Sequence, residues 1–322
     1  MIDAPFPWFG GKSRAASLIW QRFGDVRTYV EPFFGSGAVL LSRPAEERIE
    51  TINDLDGYVA NFWRAIQANP DEVAFHADWP INEADLMARH LWLVAQRGEL
   101  LEQLMADPDF WDAKIAGWWV WGICSWIGSG WCSGDGPWIV GEDGKVANGN
   151  AGQGVRRQLP HLGAAGQGVH RKRPHLGTAG RGLTEWFQRL ADRLRRVRVC
   201  CGDWSRVCGP SVTWKHGVTG VMLDPPYADS AGRSADLYST DSLTVAHAVR
   251  EWAIEAGQRP DMRIAICGYE GEHDMPDGWE CVAWKASGGY GSQGDVAGRE
   301  NSNRERIWFS PACLGSQQGA LL

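Results

Sequence analysis

The sequence predicts an α/β protein whose doubly wound sheet is interrupted by a long insertion. Short apolar runs typical of strands alternate with amphipathic segments typical of helices up to about residue 57, and the alternation resumes after residue 182. The chain has 322 residues, more than one ordinary core needs. We therefore predict a discontinuous domain over residues 1–56 and 183–312, a mainly helical and loop-rich insertion over residues 57–182, and a flexible tail over residues 313–322.

Apolar or β-branched runs mark the predicted strands of the sheet. They are a short strand that begins at Thr28, followed by residues 49–52, 197–201, 221–223, 263–268, 279–284 and 306–310. Helices are predicted between them. The helix after the second strand is expected to face the core through residues at helical spacing, namely Leu55, Val59, Phe62, Trp63 and Ile66.

Charge is distributed unevenly along the chain. The net charge of −7 argues weakly against a nucleic-acid-binding protein. Residues 151–198, however, hold eleven Lys and Arg against two acids, and a basic island on an acidic protein predicts a localised anion-binding face. The island contains a repeat of period 14, whose Gly-rich copies suit a flexible element lying along phosphates. The alternative is a disordered basic linker. The predicted phosphate contacts are Arg156, Arg157, Arg171, Lys172 and Arg173.

The composition of the chain argues against a metal-binding protein, a secreted protein and a membrane-spanning protein. The eight cysteines form no C-x-x-C pair and have no nearby His in metal-ligand spacing, so we predict reduced thiols and no metal site. The first residues lack the pattern of a signal peptide. The longest apolar stretch, residues 115–127, is too short and too interrupted to span a bilayer. We expect a cytoplasmic protein without a membrane partner, as a monomer or weak dimer.

The tetrad Asp224-Pro225-Pro226-Tyr227 follows the apolar run of residues 221–223. Asp224 can accept hydrogen bonds from an amino group. The two prolines stiffen the loop, so that its carbonyl groups can point into a cleft. Tyr227 offers a flat face for stacking a planar ring. The tetrad alone is equally consistent with a strand that ends in a Pro-Pro turn beside a chance acid and aromatic residue.

Two N-terminal patterns suggest a nucleoside site. The glycines of Gly35-Ser36-Gly37 allow a tight turn after the first strand, and Asp54 at the end of the second strand stands where such sites bind ribose hydroxyls. The pair Gly10-Gly11 before Lys12 lets the backbone approach a ligand closely. It does not form a P-loop, because the first glycine of that motif is missing.

Four motifs in this order resemble the Dam-type DNA adenine-N6 methyltransferases, including versions carried by bacteriophages. The motifs are Trp8-Phe9-Gly10-Gly11-Lys12, Glu31-Pro32-Phe33-Phe34-Gly35-Ser36-Gly37, Asn53-Asp54 and Asp224-Pro225-Pro226-Tyr227. The resemblance covers residues 1–66 and about 184–310. It leaves the middle unmatched, where that family keeps its target-recognition part. The resemblance implies a Rossmann-like methyltransferase sheet, S-adenosylmethionine as the cofactor, double-stranded DNA as the partner, and a bacterial or phage-infected cell.

The resemblance also implies roles for individual residues. Lys12 would neutralise the cofactor's carboxylate, Asp54 would hold its ribose hydroxyls, and Asp203 would lie near its adenine. The target base would leave the duplex and stack on Tyr227, while the tetrad aims its amino group at the methyl group. The implied cofactor contacts are Trp8, Gly10, Gly11, Lys12, Glu31, Pro32, Phe33, Gly35, Gly37, Asp54 and Asp203; the implied catalytic residues are Asp224, Pro225, Pro226 and Tyr227.

Three alternatives remain open at this point. Methylation of cytosine-N4 uses the same chemistry, although Asp224 and Tyr227 favour adenine. Methylation of glutamine in proteins usually goes with Asn where Asp224 stands, and the basic island favours nucleic acid. A DNA-binding protein of this fold without catalysis is the alternative from another functional class. The sequence contains no nuclease motif, which favours a stand-alone methylase over a fused restriction enzyme.

Overall fold

A large mixed sheet and a separate two-stranded sheet form the β-structure. The structure, a computed structural model, describes residues 2–8, 11–44, 48–126, 131–132, 138–140, 146–148, 182–226, 241–284 and 304–315. The strands are β1 (Thr28–Glu31), β2 (Ile49–Asp54), β3 (Trp138–Val140), β4 (Val146–Asn148), β5 (Val197–Cys201), β6 (Thr219–Leu223), β7 (Met262–Tyr269), β8 (Glu280–Ala283) and β9 (Glu305–Phe309). The helices are α1 (Ala16–Phe23), α2 (Ala38–Leu41), α3 (Gly57–Ala68), α4 (Pro70–Ala77), α5 (Glu83–Ala106), α6 (Ala113–Ser125), α7 (Leu183–Leu194) and α8 (Asp241–Ala256).

The large sheet has a doubly wound topology. Within the described residues its seven strands follow the order β5-β2-β1-β6-β7-β9-β8. The first five are parallel, whereas β9 runs antiparallel to both β7 and β8. The strand order reverses between β1 and β6, so a crevice is expected at the carboxyl ends of these two strands. The predicted α/β class and the Rossmann-like sheet are confirmed.

The central strands are buried because the sheet is covered on both faces. All five residues of β6 are buried, as a near-continuous apolar parallel strand requires. On one face, Val221 and Leu223 join a core cluster with Val249 and Ala253 of α8. On the other face, the ring of Tyr29 lies 4.9 Å from that of Trp20 in α1. The sheet thus holds the ends of β1 and β6 on a rigid platform.

The chain divides into two compact units. Unit 1 comprises Met1–Ala4, Trp8–Ala60 and Leu194–Leu322, and unit 2 comprises Pro5–Pro7 and Asn61–Arg193. The large sheet lies in unit 1. The helices from α4 to α6 lie in unit 2, and each begins at a residue whose side chain accepts a backbone N–H bond: Asn69, Asn82 and Asp112. In the described part of the chain, no helix is long and apolar enough to cross a membrane.

The boundaries of these units differ from the predicted ones, and aromatic packing explains two of the differences. Phe6 belongs to unit 2, where its ring lies 5.3 Å from Phe62 and 4.9 Å from Trp119. Most of α7 also belongs to unit 2, because Phe187 packs edge-on against Phe62 at 5.9 Å. The assignment of the insertion to target recognition stays a prediction.

Two local predictions are wrong. Leu55 does not lie on the core face of a helix: it is 68% exposed and precedes α3, because the Asp56 carboxylate accepts the Tyr58 N–H and starts the helix there. Residues 313–315 are not a flexible tail. The backbone of Leu314 donates to the Arg22 carbonyl and accepts from its guanidinium, each at 2.8 Å. Residues 316–322 lie outside the described residues.

Candidate functional site

The carboxyl ends of the parallel strands bring the predicted acids to one edge of the sheet. Glu31 ends β1, Asp54 ends β2, and Asp224 directly follows β6. Asp203 follows β5 by two residues. Because parallel strands place their carboxyl ends at the same edge, these side chains lie along the edge of the sheet where the crevice between β1 and β6 is expected.

Lys12 and Asp224 form a buried ion pair at this crevice. The Lys12 Nζ lies 2.8 Å from Asp224 Oδ2, with side-chain exposures of 5% and 21%. The ammonium also lies 5.4 Å from the ring centre of Trp284. Burial lowers the pKa of Lys12, but the negative charges of Asp224 and Glu305 more than offset this, and the net pKa lies above the usual value. Lys12 is therefore a cation at neutral pH. Its predicted contact with a cofactor carboxylate stays a prediction.

Glu31 is a buried carboxyl group in an acidic surrounding. Burial raises the pKa of Glu31 to about 8, a hydrogen bond from Tyr29 opposes this, and the charges of Asp224 and Asp54 raise it further. The Tyr29 hydroxyl donates to Glu31 Oε2 at 2.7 Å. A cationic ligand group beside Glu31 would favour the ionised form of this carboxyl group. Binding of such a ligand would therefore release a proton from Glu31.

The glycine loop after β1 is fixed by two residues with positive φ. Gly35 has a φ of 49° and Gly37 a φ of 70°. A Cβ atom on Gly35 would lie 2.4 Å from the Trp8 ring, and one on Gly37 would lie 2.6 Å from the Phe34 ring. Both positions therefore exclude side chains. The loop also brings two of the four sequence motifs together, because Trp8 of the first packs on Gly35 of the second.

Asp54 accepts hydrogen bonds from two backbone groups. The Gly35 N–H donates to its Oδ2 at 2.8 Å, and the Asp56 N–H donates to its Oδ1 at 2.9 Å. Burial raises the pKa of Asp54 to about 7, and the charge of Asp56 adds to the effect. A carboxylate has about four acceptor positions, so Asp54 keeps capacity for a pair of hydroxyl donors.

Asn53 connects its own strand, β2, to the loops after two other strands, a role that the sequence motif did not reveal. Its amide nitrogen donates to the carbonyl of Pro32 at 3.0 Å and to that of Gly202 at 2.9 Å. Pro32 follows β1, Asn53 lies in β2, and Gly202 follows β5. The buried Oδ1 of Asn53 has no hydrogen-bond partner among the described residues. This side chain holds the edge of the sheet together at the predicted nucleoside site.

Asp203 has a local structural contact. It is exposed and begins the 3-10 helix Trp204–Val207, where its Oδ1 accepts the Ser205 N–H at 3.0 Å. The next residue was missed by the sequence analysis: the ring of Trp204 is stacked on Phe33, with ring centres 6.5 Å apart and an interplanar angle of 25°. An aromatic residue three positions after the end of β5, next to the predicted site residue Asp203, was the signal that could have identified it.

The rest of the predicted site is described only in part. Pro225 is buried and Pro226 is half-buried after β6, and Gly11 donates its N–H to the Trp8 carbonyl at 3.2 Å. Tyr227, Gly10 and residues 151–181 of the basic island lie outside the described residues. The island's predicted contacts are Arg156, Arg157, Arg171, Lys172 and Arg173. Among the described residues, no group of three or more His, Cys, Asp and Glu is placed to hold a metal ion.

The fold and the site together define the class of the protein. A doubly wound sheet with a glycine loop after its first strand and an acid at the end of its second is the architecture of a nucleotide- or nucleoside-binding α/β protein. Residues 8–82 match the model of the D12 class N6 adenine-specific DNA methyltransferase family. This match confirms the resemblance to the Dam-type family over residues 8–82, which are less than a quarter of the chain. The matched residues contain the first three motifs and end before the tetrad. No curated protein matches the chain.

Proposed function

We propose that the protein transfers a methyl group from S-adenosylmethionine to the N6 amino group of adenine in double-stranded DNA. The observation that carries the proposal is the Lys12–Asp224 pair. It places an oriented carboxylate at the end of β6, beside the crevice of a sheet whose first part matches an adenine-specific DNA methyltransferase family.

The acidic edge of the sheet fits the proposed cofactor. S-adenosylmethionine, when bound, supplies an electrophilic methyl group on a cationic sulfur, and it also carries an ammonium group and two ribose hydroxyls. Glu31 and Asp54 both have raised pKa values because they are buried near other acids. Such a surrounding favours a cationic ligand. Glu31 would pair with the ammonium group, and Asp54 would accept bonds from the hydroxyls.

The tetrad would hold the target base. The base must leave the duplex at a cost of a few kcal/mol, and stacking on Tyr227 would recover roughly 1–3 kcal/mol. Asp224 and the Pro225 carbonyl would accept hydrogen bonds from its amino group, which directs the nitrogen lone pair at the methyl group. Lys12 keeps the Asp224 carboxylate in place as an acceptor. The rate gain then comes from positioning and electrostatics, with no covalent enzyme intermediate.

Nucleoside analysis of methylated DNA tests the proposed function. Purified protein, labelled S-adenosylmethionine and mixed-sequence duplex DNA should yield N6-methyladenine. Asp224→Ala should abolish transfer while cofactor binding stays within a few fold, which also serves as the folding control. Asp25→Asn, at an exposed carboxylate, should retain full turnover. Methylcytosine as the product would establish the cytosine-N4 alternative, and undiminished turnover of Asp224→Ala would refute the mechanism.

The basic island would supply the contacts to DNA phosphates. Each phosphate neutralised by Lys or Arg releases counterions, so it adds about one to the slope of log affinity against log salt concentration. Changing Arg171, Lys172 and Arg173 together to Ala should weaken DNA binding and reduce this slope by up to about three. A slope equal to that of the wild type would make the island a linker.

A further inference from the structure

A cavity of about 980 Å³ lies within unit 2, and none of its lining residues belongs to the predicted methyl-transfer site. Its lining comes from α4 and the two residues after it, from α5 and α6, and from the first turn of α7. The volume lies in the range of pockets that bind small organic molecules. The chemistry of its walls indicates which molecule it suits.

Aromatic side chains form much of the wall. Trp92 and Trp118 meet edge to face, with ring centres 5.1 Å apart. Phe75 and Trp79 also line the cavity, and Phe75 is 76% exposed. Large exposed aromatic groups beside a cavity favour a ligand with a flat ring, because stacking would cover them.

Arg89 supplies a buried donor that, within the described part of the chain, has no hydrogen-bond acceptor. Its side chain lines the cavity and is only 8% exposed. Its guanidinium carbon lies 4.4 Å from the ring centre of Trp121 and 4.9 Å from that of Trp118. The Nη1 of Arg89 has no hydrogen-bond partner among the residues that the structure describes. Because an unsatisfied buried donor is costly, a ligand oxygen or ring nitrogen that accepts from it would bind favourably.

Carboxylates complete the lining and disfavour a buried anion. Asp71, Asp78 and Asp85 line the cavity together with His76. Burial lowers the pKa of His76, so this ring is neutral at pH 7. The lining carboxylates therefore outnumber the single guanidinium, which disfavours a phosphate group inside the cavity. They can instead accept hydrogen bonds from ligand N–H groups.

We propose that this cavity binds one uncharged nucleobase, at a site separate from the one that holds the methyl-accepting base. A nucleobase combines a flat ring, an acceptor for Arg89 and N–H donors for the acids. The base can come from a free nucleoside or from a nucleotide unstacked from a DNA strand. Both sources present the same ring, and they differ in the charge that accompanies it. Binding here does not require methyl transfer.

Calorimetric titration of the full-length protein tests this proposal. The probes are the four nucleosides, their 5′-monophosphates, and short single-stranded oligonucleotides of each base. We expect at least one nucleoside to bind and to bind more tightly than its monophosphate, because the carboxylates repel the phosphate. If only an oligonucleotide binds, and Phe75→Ala weakens it, the source is a base within a strand.

Variants assign the binding to this cavity. Arg89→Met removes the donor, and Phe75→Ala removes an exposed ring without disturbing the core. We expect each variant to weaken binding about tenfold, as loss of one stacking or hydrogen-bonding partner does. Arg97→Met, at an exposed residue of the same helix, is the matched control and should bind as the wild type does.

One variant distinguishes binding at this cavity from binding at the methyl-transfer site, and three results would overturn the proposal. Asp224→Ala should bind the nucleoside unchanged even though it no longer methylates DNA. The proposal fails if no probe binds, if monophosphates bind more tightly than nucleosides, or if binding is lost in Asp224→Ala and retained in Arg89→Met and Phe75→Ala.

Discussion

Replacing Lys12 with Met removes the cation of the buried pair while keeping most of the side chain's volume. At 2.8 Å and an effective dielectric constant of about 20, the attraction in the pair is roughly 6 kcal/mol before the cost of burial. Removing one partner of a buried pair typically costs about 3–5 kcal/mol, because a charge is left uncompensated. Asp224 keeps some contact with solvent, so we expect a loss near the lower value, about 3 kcal/mol.

Urea unfolding followed by tryptophan fluorescence measures this loss. The matched control is the exposed pair of Arg48 and Asp25, whose N–O distance is a similar 3.0 Å. Arg48→Met should cost at most about 1 kcal/mol, since solvent screens this pair. The double variant of Lys12→Met with Asp224→Asn should be less destabilised than the sum of the single changes, because no unpaired charge remains.

Two outcomes would refute this account of the pair. A loss for Lys12→Met no larger than that for Arg48→Met would show that burial adds nothing to the interaction. Strict additivity in the double variant would show that Lys12 and Asp224 do not interact. Methyl transfer gives an independent measurement: turnover of Lys12→Met should fall, because Asp224 loses the partner that orients it.

Two further predictions concern the loop and strand at the same edge. The pKa of Glu31 is raised to about 8, so the folded protein holds a proton that the unfolded chain loses, and stability falls as pH rises through this window. Glu31→Gln should remove that fall. Between pH 5 and 9 the free energy of unfolding of this variant should therefore rise by up to about 4 kcal/mol relative to that of the wild type. Parallel curves of unfolding free energy against pH for the two proteins would contradict this prediction. Gly35→Ala should lower the free energy of unfolding by about 1–2 kcal/mol or more, because Gly35 has a positive φ and its Cβ would meet the Trp8 ring. Gly98→Ala should instead raise the free energy of unfolding by about 0.5–1 kcal/mol, because Gly98 lies in α5 with open space around it. Equal melting temperatures of the two glycine variants would refute the steric argument.

The strands could be predicted because each apolar run ends at polar residues or prolines that do not continue a buried strand. The run before Asp224 is β6, and the run before Asn53-Asp54 is β2. The order of strands at the far edge could not be predicted. The last strand, β9, lies between β7 and β8, and this choice depends on antiparallel pairing that leaves no local mark in the sequence.

The sequence predicted which residues belong to the candidate site, but it could not predict which of them contact each other. Glu31 and Asp54 were identified as polar groups that follow apolar runs. The partner of Lys12 could not be identified, because more than two hundred residues separate it from Asp224 in the sequence. Leu55 shows the opposite failure: helical spacing alone assigned it to the core, although the Asp56 cap starts the helix after it.

The bond from Asn53 to Gly202 has a consequence for how the protein folds. It spans 149 residues, and the pairing of β2 with β5 encloses residues 61–193, which are all of unit 2 except Pro5–Pro7. A ribosome therefore releases β1 and β2 long before β5 exists, and closing so long a loop is an entropic cost that later contacts must offset. We expect the β5 edge to be among the late elements to form, so the corner beside Asn53 would become competent only after unit 2 has been synthesised. A slow-folding unit 2 would delay cofactor binding even in a chain whose site residues are all intact.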